Sequence, residues 1–154
     1  MLEFGIMSTY TQIVYHIVFS TKDRQGTLAI EKHEPLFRYI WGIVKNKQST
    51  LHQINGVTDH LHILTELHPS IALADFVKDI KLACSKWVRT EKIFPYFEGW
   101  QEGYGAFTHS QQEKVRLVDY IRTQKEHHQH ISFRDEYITL LEKAGIEYNP
   151  KYVP

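Results

Sequence analysis

Cysteine is nearly absent: Cys84 is the single thiol in 154 residues. One thiol cannot close an internal disulfide, so a disulfide-stapled secreted scaffold is excluded and a reducing compartment fits. Its apolar surroundings favour a buried structural thiol over a nucleophile. Long apolar runs are also missing. None approaches the ~20 residues that a membrane-spanning helix needs. The first residues lack the basic segment, apolar stretch and small-residue cleavage site of a secretory signal. These absences together predict a cytoplasmic protein. No charge of one sign dominates, because 18 Lys and Arg face 18 Asp and Glu. Nucleic-acid-binding domains usually carry a basic excess, so any such surface here has to be a local stripe. Repeats, low-complexity tracts and linker-like stretches are absent, and the length predicts one domain with a real core.

What the chain does have is histidine and aromatic side chains. There are 10 histidines and 13% aromatics within an ordinary 42% hydrophobic, 23% charged composition. That bias points toward metal, proton or base-stacking chemistry.

Residues 1–9 read as a leader, with Met7 as an alternative start. Residues 12–20 (QIVYHIVFS) form an almost unbroken β-branched and aromatic run, which predicts a central strand. A charged loop follows over 21–26. Leu36, Phe37, Ile40, Trp41 and Val44 mark one face of a helix over 31–47. Residues 51–57 and 60–67 predict two further strands joined at Thr58 and Asp59. A long helix is expected over 71–92 and a fourth strand over 100–109. Ser110 with Glu113 matches a capping box opening a helix over 110–128. Phe133, Tyr137, Leu140, Leu141 and Ala144 keep helical spacing to a stop at Gly145. The order is β-α-β-β-α-β plus two helices. It predicts an α+β, ferredoxin-like antiparallel sheet with helices on one face and the other face left available. The boundaries expected are 10–130 for the main domain and 131–154 for a helical tail.

Two segments carry chemistry. In Asp59-His60-Leu61-His62, strand alternation sends both imidazoles to one face and Leu61 to the other. Two imidazoles on a rigid strand make a good metal-ligand pair, although a solvent-facing pair on a half-exposed sheet has the same pattern. On the helix over 110–128, Val115, Val118 and Ile121 share an apolar face with Leu117 at its edge. Tyr120 sits just beyond, Gln124 follows one turn later and His127 lies near the same line. Taken alone, Tyr120 is equally a boundary aromatic packed on the core.

Together these segments resemble the single-tyrosine transposases of the insertion-sequence 200/605 type. Asp59-His60-Leu61-His62 is similar to that family's His-hydrophobic-His motif, and Tyr120-Ile121-Arg122-Thr123-Gln124 to its tyrosine helix. Tyr15-His16-Ile17-Val18-Phe19-Ser20-Thr21-Lys22 resembles its first strand and basic loop, and Trp100-Gln101-Glu102-Gly103-Tyr104-Gly105 its fourth strand. The likeness runs from about Tyr10 to His128, in order and at the family's spacing. Lys22-Asp23-Arg24 departs from it, with an acid where members often have an aromatic.

The resemblance implies that Tyr120 is the nucleophile and that His60, His62 and Gln124 hold a divalent metal, magnesium or manganese. It implies a single-stranded DNA substrate with subterminal hairpins. It also implies a homodimer whose tyrosine helices can serve the partner's histidine pair. The reaction would pass through a 5′-phosphotyrosine and leave a free 3′-hydroxyl, so rejoining needs no ATP. His127 or His128, one turn further along, are alternatives to Gln124 as third ligand.

For DNA contacts, Lys78, Lys81, Lys86, Arg89 and Lys92 fall within an arc of about 140° on the 71–92 helix, opposite its apolar face. This is a basic stripe suited to phosphates or an ordinary solvated face. Lys22 and Arg24 are further phosphate candidates. Trp100, Tyr104 and Phe107 are candidates for base stacking, with core packing the stronger reading. Two other readings compete. A non-catalytic or domesticated nucleic-acid-binding module would not need His60, His62, Tyr120 and Gln124 together, and a metallohydrolase using water would leave Tyr120 without a role.

Overall fold

The computed structural model describes residues 8–154. Met7 and nearly all of the expected leader lie outside them. Four strands form one antiparallel sheet: β1 (Val14–Ser20), β2 (Thr50–Gly56), β3 (His60–Glu66) and β4 (Gly105–His109), ordered β2-β3-β1-β4. Five α-helices accompany them: α1 (His33–Asn46), α2 (Leu73–Glu91), α3 (Gln111–Arg122), α4 (Gln124–His127) and α5 (Phe133–Lys143). The α+β arrangement and the strand order agree with the split βαβ reading.

Strand alternation divides the molecule into two layers. Ile17 and Phe19 of β1 and Leu61 and Ile63 of β3 point to one face. There they bury against Leu36, Ile40 and Val44 of α1 and Phe76, Ile80, Cys84 and Val88 of α2. Cys84 sits inside this core, and burial pushes its thiol up to about 12. It is a packing residue, as expected.

The opposite face is not left open. Val18 and Phe107 pack against Phe133, Tyr137 and Leu141 of α5, while Val14 and Leu64 pack against Ile121 of α3. The apolar pattern over 133–144 is what closes this face, because α5 buries its Phe133-Tyr137-Leu141 stripe onto the sheet. The 131–154 tail is therefore a second covering layer. Val115, expected on the apolar face of the tyrosine helix, is 77% exposed.

Boundaries shift where the backbone requires it. The fourth strand begins at Gly105 because Gly99 (φ 123°) and Gly103 (φ 79°) turn the chain, leaving Trp100 with an isolated bridge to Thr21. Trp100 packs against Phe19 and Phe97, and Phe107 is buried, so both serve the core. The Ser110–Glu113 capping box forms as expected. The helix it opens ends at Arg122, where the Thr123 hydroxyl donates to the Asp119 carbonyl (2.9 Å), and a short helix resumes at Gln124.

Gly56 closes the β2–β3 turn in close quarters. A Cβ there would lie 2.2 Å from the His60 carbonyl oxygen and 2.9 Å from a Leu61 methyl, whereas a Cβ on Gly42 in α1 meets nothing. Gly56→Ala should therefore cost about 1–3 kcal/mol in urea unfolding by forcing β2 and β3 apart. Gly42→Ala should gain about 0.5–1 kcal/mol by the change in helix propensity. Equal effects of the two substitutions would refute the close approach.

Candidate active site

His60 and His62 project from β3 into the layer covered by α3 and α5, and both are fully buried. Each ring has its outer nitrogen engaged. His60 Nδ1 lies 2.7 Å from Asp59 Oδ1, and His62 Nδ1 lies 2.7 Å from His16 Nε2. Both Nε2 atoms then face the same small volume. His16 reaches His62 because β1 pairs beside β3 and sends its even-numbered side chains to that face.

α5 supplies the group at the centre, the 3% exposed carboxylate of Glu136. Its Oε1 lies 3.0 Å from His62 Nε2, 3.0 Å from His128 Nε2 and 3.4 Å from His60 Nε2. Its Oε2 accepts from the Tyr120 hydroxyl and from the Gln124 amide (3.0 Å). The Gln124 carbonyl oxygen faces His128 Nε2 at 3.0 Å and His60 Nε2 at 3.4 Å. Ligand atoms of His60, His62, His128 and Glu136 all lie within 4.8 Å of one another. This donor set, imidazole nitrogens with a carboxylate in a buried recess, fits a divalent cation.

The electrostatics follow from burial and these contacts. Burial alone would raise Glu136, but the hydrogen bonds to His128, His60 and His62 hold its carboxyl well below the usual range. Burial pulls His62 down to about 4, overcoming the opposing effect of Glu136. Burial, then the neighbouring His62 and His109, lower His16. For His60, burial is outweighed by its bonds to Asp59 and Glu136, and its pKa is raised. Burial, then the charge of Glu136, hold the Tyr120 phenol above its ordinary value.

His60, His62, Tyr120 and Gln124 thus meet within one chain. His128 joins them, whereas His127 packs on the Tyr120 ring (4.9 Å between centroids) and faces the Thr123 hydroxyl. A cleft of about 620 Å³ opens beside the Tyr120 ring, with His16, His109 and Glu136 on its walls and Arg116 and Lys143 among its lining residues. Lys22 and Arg24 are exposed on the turn after β1, at the end where Ser20 pairs with His60. Lys78, Lys86 and Arg89 are exposed on α2, across the sheet from Tyr120. Lys81 is not a free cation, since it donates to the carbonyls of Gln101 (2.9 Å) and Gly103 and pins the loop before β4.

Sequence reasoning missed Glu136 and the role of His16. Glu136 lies between Phe133 and Tyr137 on the apolar side of a helix, and a carboxylate there was the available signal.

The fold is that of solved transposase domains. Residues 9–124 match the transposase IS200-like family, and the chain belongs to that family. It is similar to the ISDra2 transposase TnpA of Deinococcus radiodurans, with 25% identity over 120 residues covering 73% of this chain and 84% of the relative. A D. radiodurans structure described as a candidate transposase aligns with TM-score 0.58 and 25% identity, over 75% of this chain and 93% of that one. A REP-associated tyrosine transposase bound to a REP hairpin shares the fold, with TM-score 0.59 and 14% identity over 81% of this chain and 76% of that one.

The buried neutral imidazole of His62 has a pH signature. Its folded pKa, about 4, lies below the unfolded value near 6.5, so the stability it contributes is present above pH ~6.5 and is lost as pH falls toward 4. Metal-free protein should lose thermal stability more steeply over that window than His62→Gln protein. Parallel melting profiles from pH 7 to 4 would contradict this.

Proposed function

We propose that this transposase cuts and rejoins single-stranded DNA at hairpin-marked ends, with Tyr120 as the nucleophile and a divalent metal, magnesium or manganese, held by His60, His62 and Gln124. The observation that carries this reading is the convergence of the Tyr120 phenol, both strand histidines and Gln124 around one buried point. When bound, the cation polarises the scissile phosphate and offsets charge on its oxygens.

The chain's own residues do the rest. The cleft beside Tyr120 admits a strand of DNA, with Arg116 and Lys143 available to the flanking phosphates. The Tyr120 oxygen attacks phosphorus, and the bond to the 3′-oxygen breaks. Glu136 orients the phenol through its hydrogen bond, the phenol proton is released to water in the cleft as the oxygen attacks, and the departing 3′-oxygen takes a proton from water and leaves as a hydroxyl. The 5′-phosphotyrosine retains the energy of the broken linkage, so another 3′-hydroxyl can reverse the step without ATP.

Lys22 and Arg24 are the phosphate contacts nearest the histidine end of the sheet. Lys78, Lys86 and Arg89, in the opposite layer, serve only DNA away from the cut. Asp59 keeps His60 in the tautomer whose Nε2 faces inward. A homodimer is part of the proposal. Because one chain brings its own tyrosine to its own histidines, exchange between partners is not needed to build a site.

Incubation with a single-stranded hairpin oligonucleotide and magnesium or manganese should yield a covalent protein–DNA adduct on denaturing gels. Tyr120→Phe should abolish it, and His60→Ala or His62→Ala should slow its formation by at least roughly 10³-fold. Metal-dependent cutting that survives Tyr120→Phe without an adduct would favour a water nucleophile. Tight binding without cleavage would favour a binding module. Mixing Tyr120→Phe with His60→Ala protein should restore little activity if each chain uses its own tyrosine, and strong rescue would show exchange across the dimer.

A further inference from the structure

We propose that the C-terminal segment completes the metal site: Glu136 and His128 join His60 and His62 as direct ligands, giving a three-imidazole, one-carboxylate set that prefers Mn2+ to Mg2+. This rests on the metal-dependent reading above and extends it to residues outside the 9–124 segment that matches the family.

Three observations converge. First, the Nε2 atoms of all three histidines and a Glu136 oxygen share one buried recess, with their ligand atoms within 4.8 Å of each other. Second, each imidazole has its outer nitrogen occupied: His60 by Asp59 (2.7 Å), His62 by His16 (2.7 Å) and His128 by the Ile131 carbonyl (2.8 Å). The Asp59 carboxylate and the Ile131 carbonyl can only accept, so Nδ1 of His60 and His128 carries a proton and each Nε2 is turned to the recess, as the outer partners of metal-bound histidines do; a cation there takes the place of the Nε2 protons now shared with Glu136. His16 can accept from His62 Nδ1, and its own Nδ1 is buried without a partner among the described residues. Third, Glu136 is a buried carboxylate that no lysine or arginine pairs with among the described residues; its ion-pair partners are all histidines. A buried carboxylate is retained where positive charge meets it; here that charge comes only from histidines, which a divalent ion in the recess can replace.

The ligand set bears on metal choice. Magnesium favours oxygen ligands and keeps several waters, whereas imidazole-rich sites suit later divalent metals. Gln124 braces the carboxylate through its amide nitrogen, and its carbonyl oxygen still faces the recess. The other Glu136 oxygen holds the Tyr120 hydroxyl. One carboxylate therefore sets the position of the nucleophile relative to the metal.

Isothermal titration of the full chain with Mn2+ and with Mg2+ tests this without any DNA. Wild-type protein should bind Mn2+ at least about tenfold more tightly than Mg2+, and Glu136→Gln and His128→Ala should each weaken Mn2+ binding by at least about tenfold. Mn2+ affinity within about twofold of wild type in both variants overturns this proposal and leaves the family-type site of His60, His62 and Gln124 standing. No Mn2+ or Mg2+ binding by wild type overturns both. A wild-type crystal soaked in MnCl2 answers independently of variant folding. An anomalous peak in contact with Glu136 and His128 supports the proposal, and a peak held by His60, His62 and Gln124 alone overturns it.

Discussion

The layer that holds the candidate site depends on one buried carboxylate. Glu136 ties β3, α3, α4 and α5 together, because its two oxygens meet His60, His62, His128, Gln124 and Tyr120. Burying a carboxylate is costly unless its charge is met and its lone pairs are filled. Here the cost is offset by donors from β3, α3, α4 and the residue that ends α4. A network so connected holds its members in fixed relation, which is what the proposed in-line attack on a phosphate requires.

The sheet divides labour between its faces. One face is mostly apolar and closes on α1 and α2, providing the rigid base. The other begins apolar at Val14, Leu64 and Ile121, turns polar at His16, His60 and His62, and becomes apolar again around Val18, Phe107 and Tyr137. The polar site is thus held between two hydrophobic patches. Phe133 stacks directly on the His60 ring, 4.1 Å between centroids. Histidines so enclosed lose rotamer freedom before any ligand binds.

Much of this was legible in the chain. Period-two alternation around His60 and His62 placed both rings on one face, and the capping box at Ser110 located the start of the tyrosine helix. The interruption at Thr123 was not legible, since it lies in a local backbone departure (φ −99°, ψ 22°) at a residue whose hydroxyl bonds back to the Asp119 and Tyr120 carbonyls. Nor was the closing of the second face. The helical spacing of Phe133 and Tyr137 announces an amphipathic helix but does not say which surface receives it. Glu136 was hidden for the same reason, because its meaning depends on a contact to a strand 74 residues away. Lys81 shows the converse error. It lies within a basic arc by helical angle, yet its ammonium is taken up by loop carbonyls that no periodicity reports.

Between β4 and α3 stands a single residue, Ser110, already committed as the helix cap. Such a joint allows rotation and almost no translation. Tyr120 lies ten residues along the helix, roughly 15 Å at 1.5 Å per residue. If α3 moves as a rigid rod, the tyrosine and any strand attached to it can travel only on the surface of a sphere of about that radius centred on Ser110. Under the proposed Tyr120 chemistry, the length of α3 then acts as a ruler, setting how far apart the leaving end and the receiving end of a DNA strand can be during one exchange.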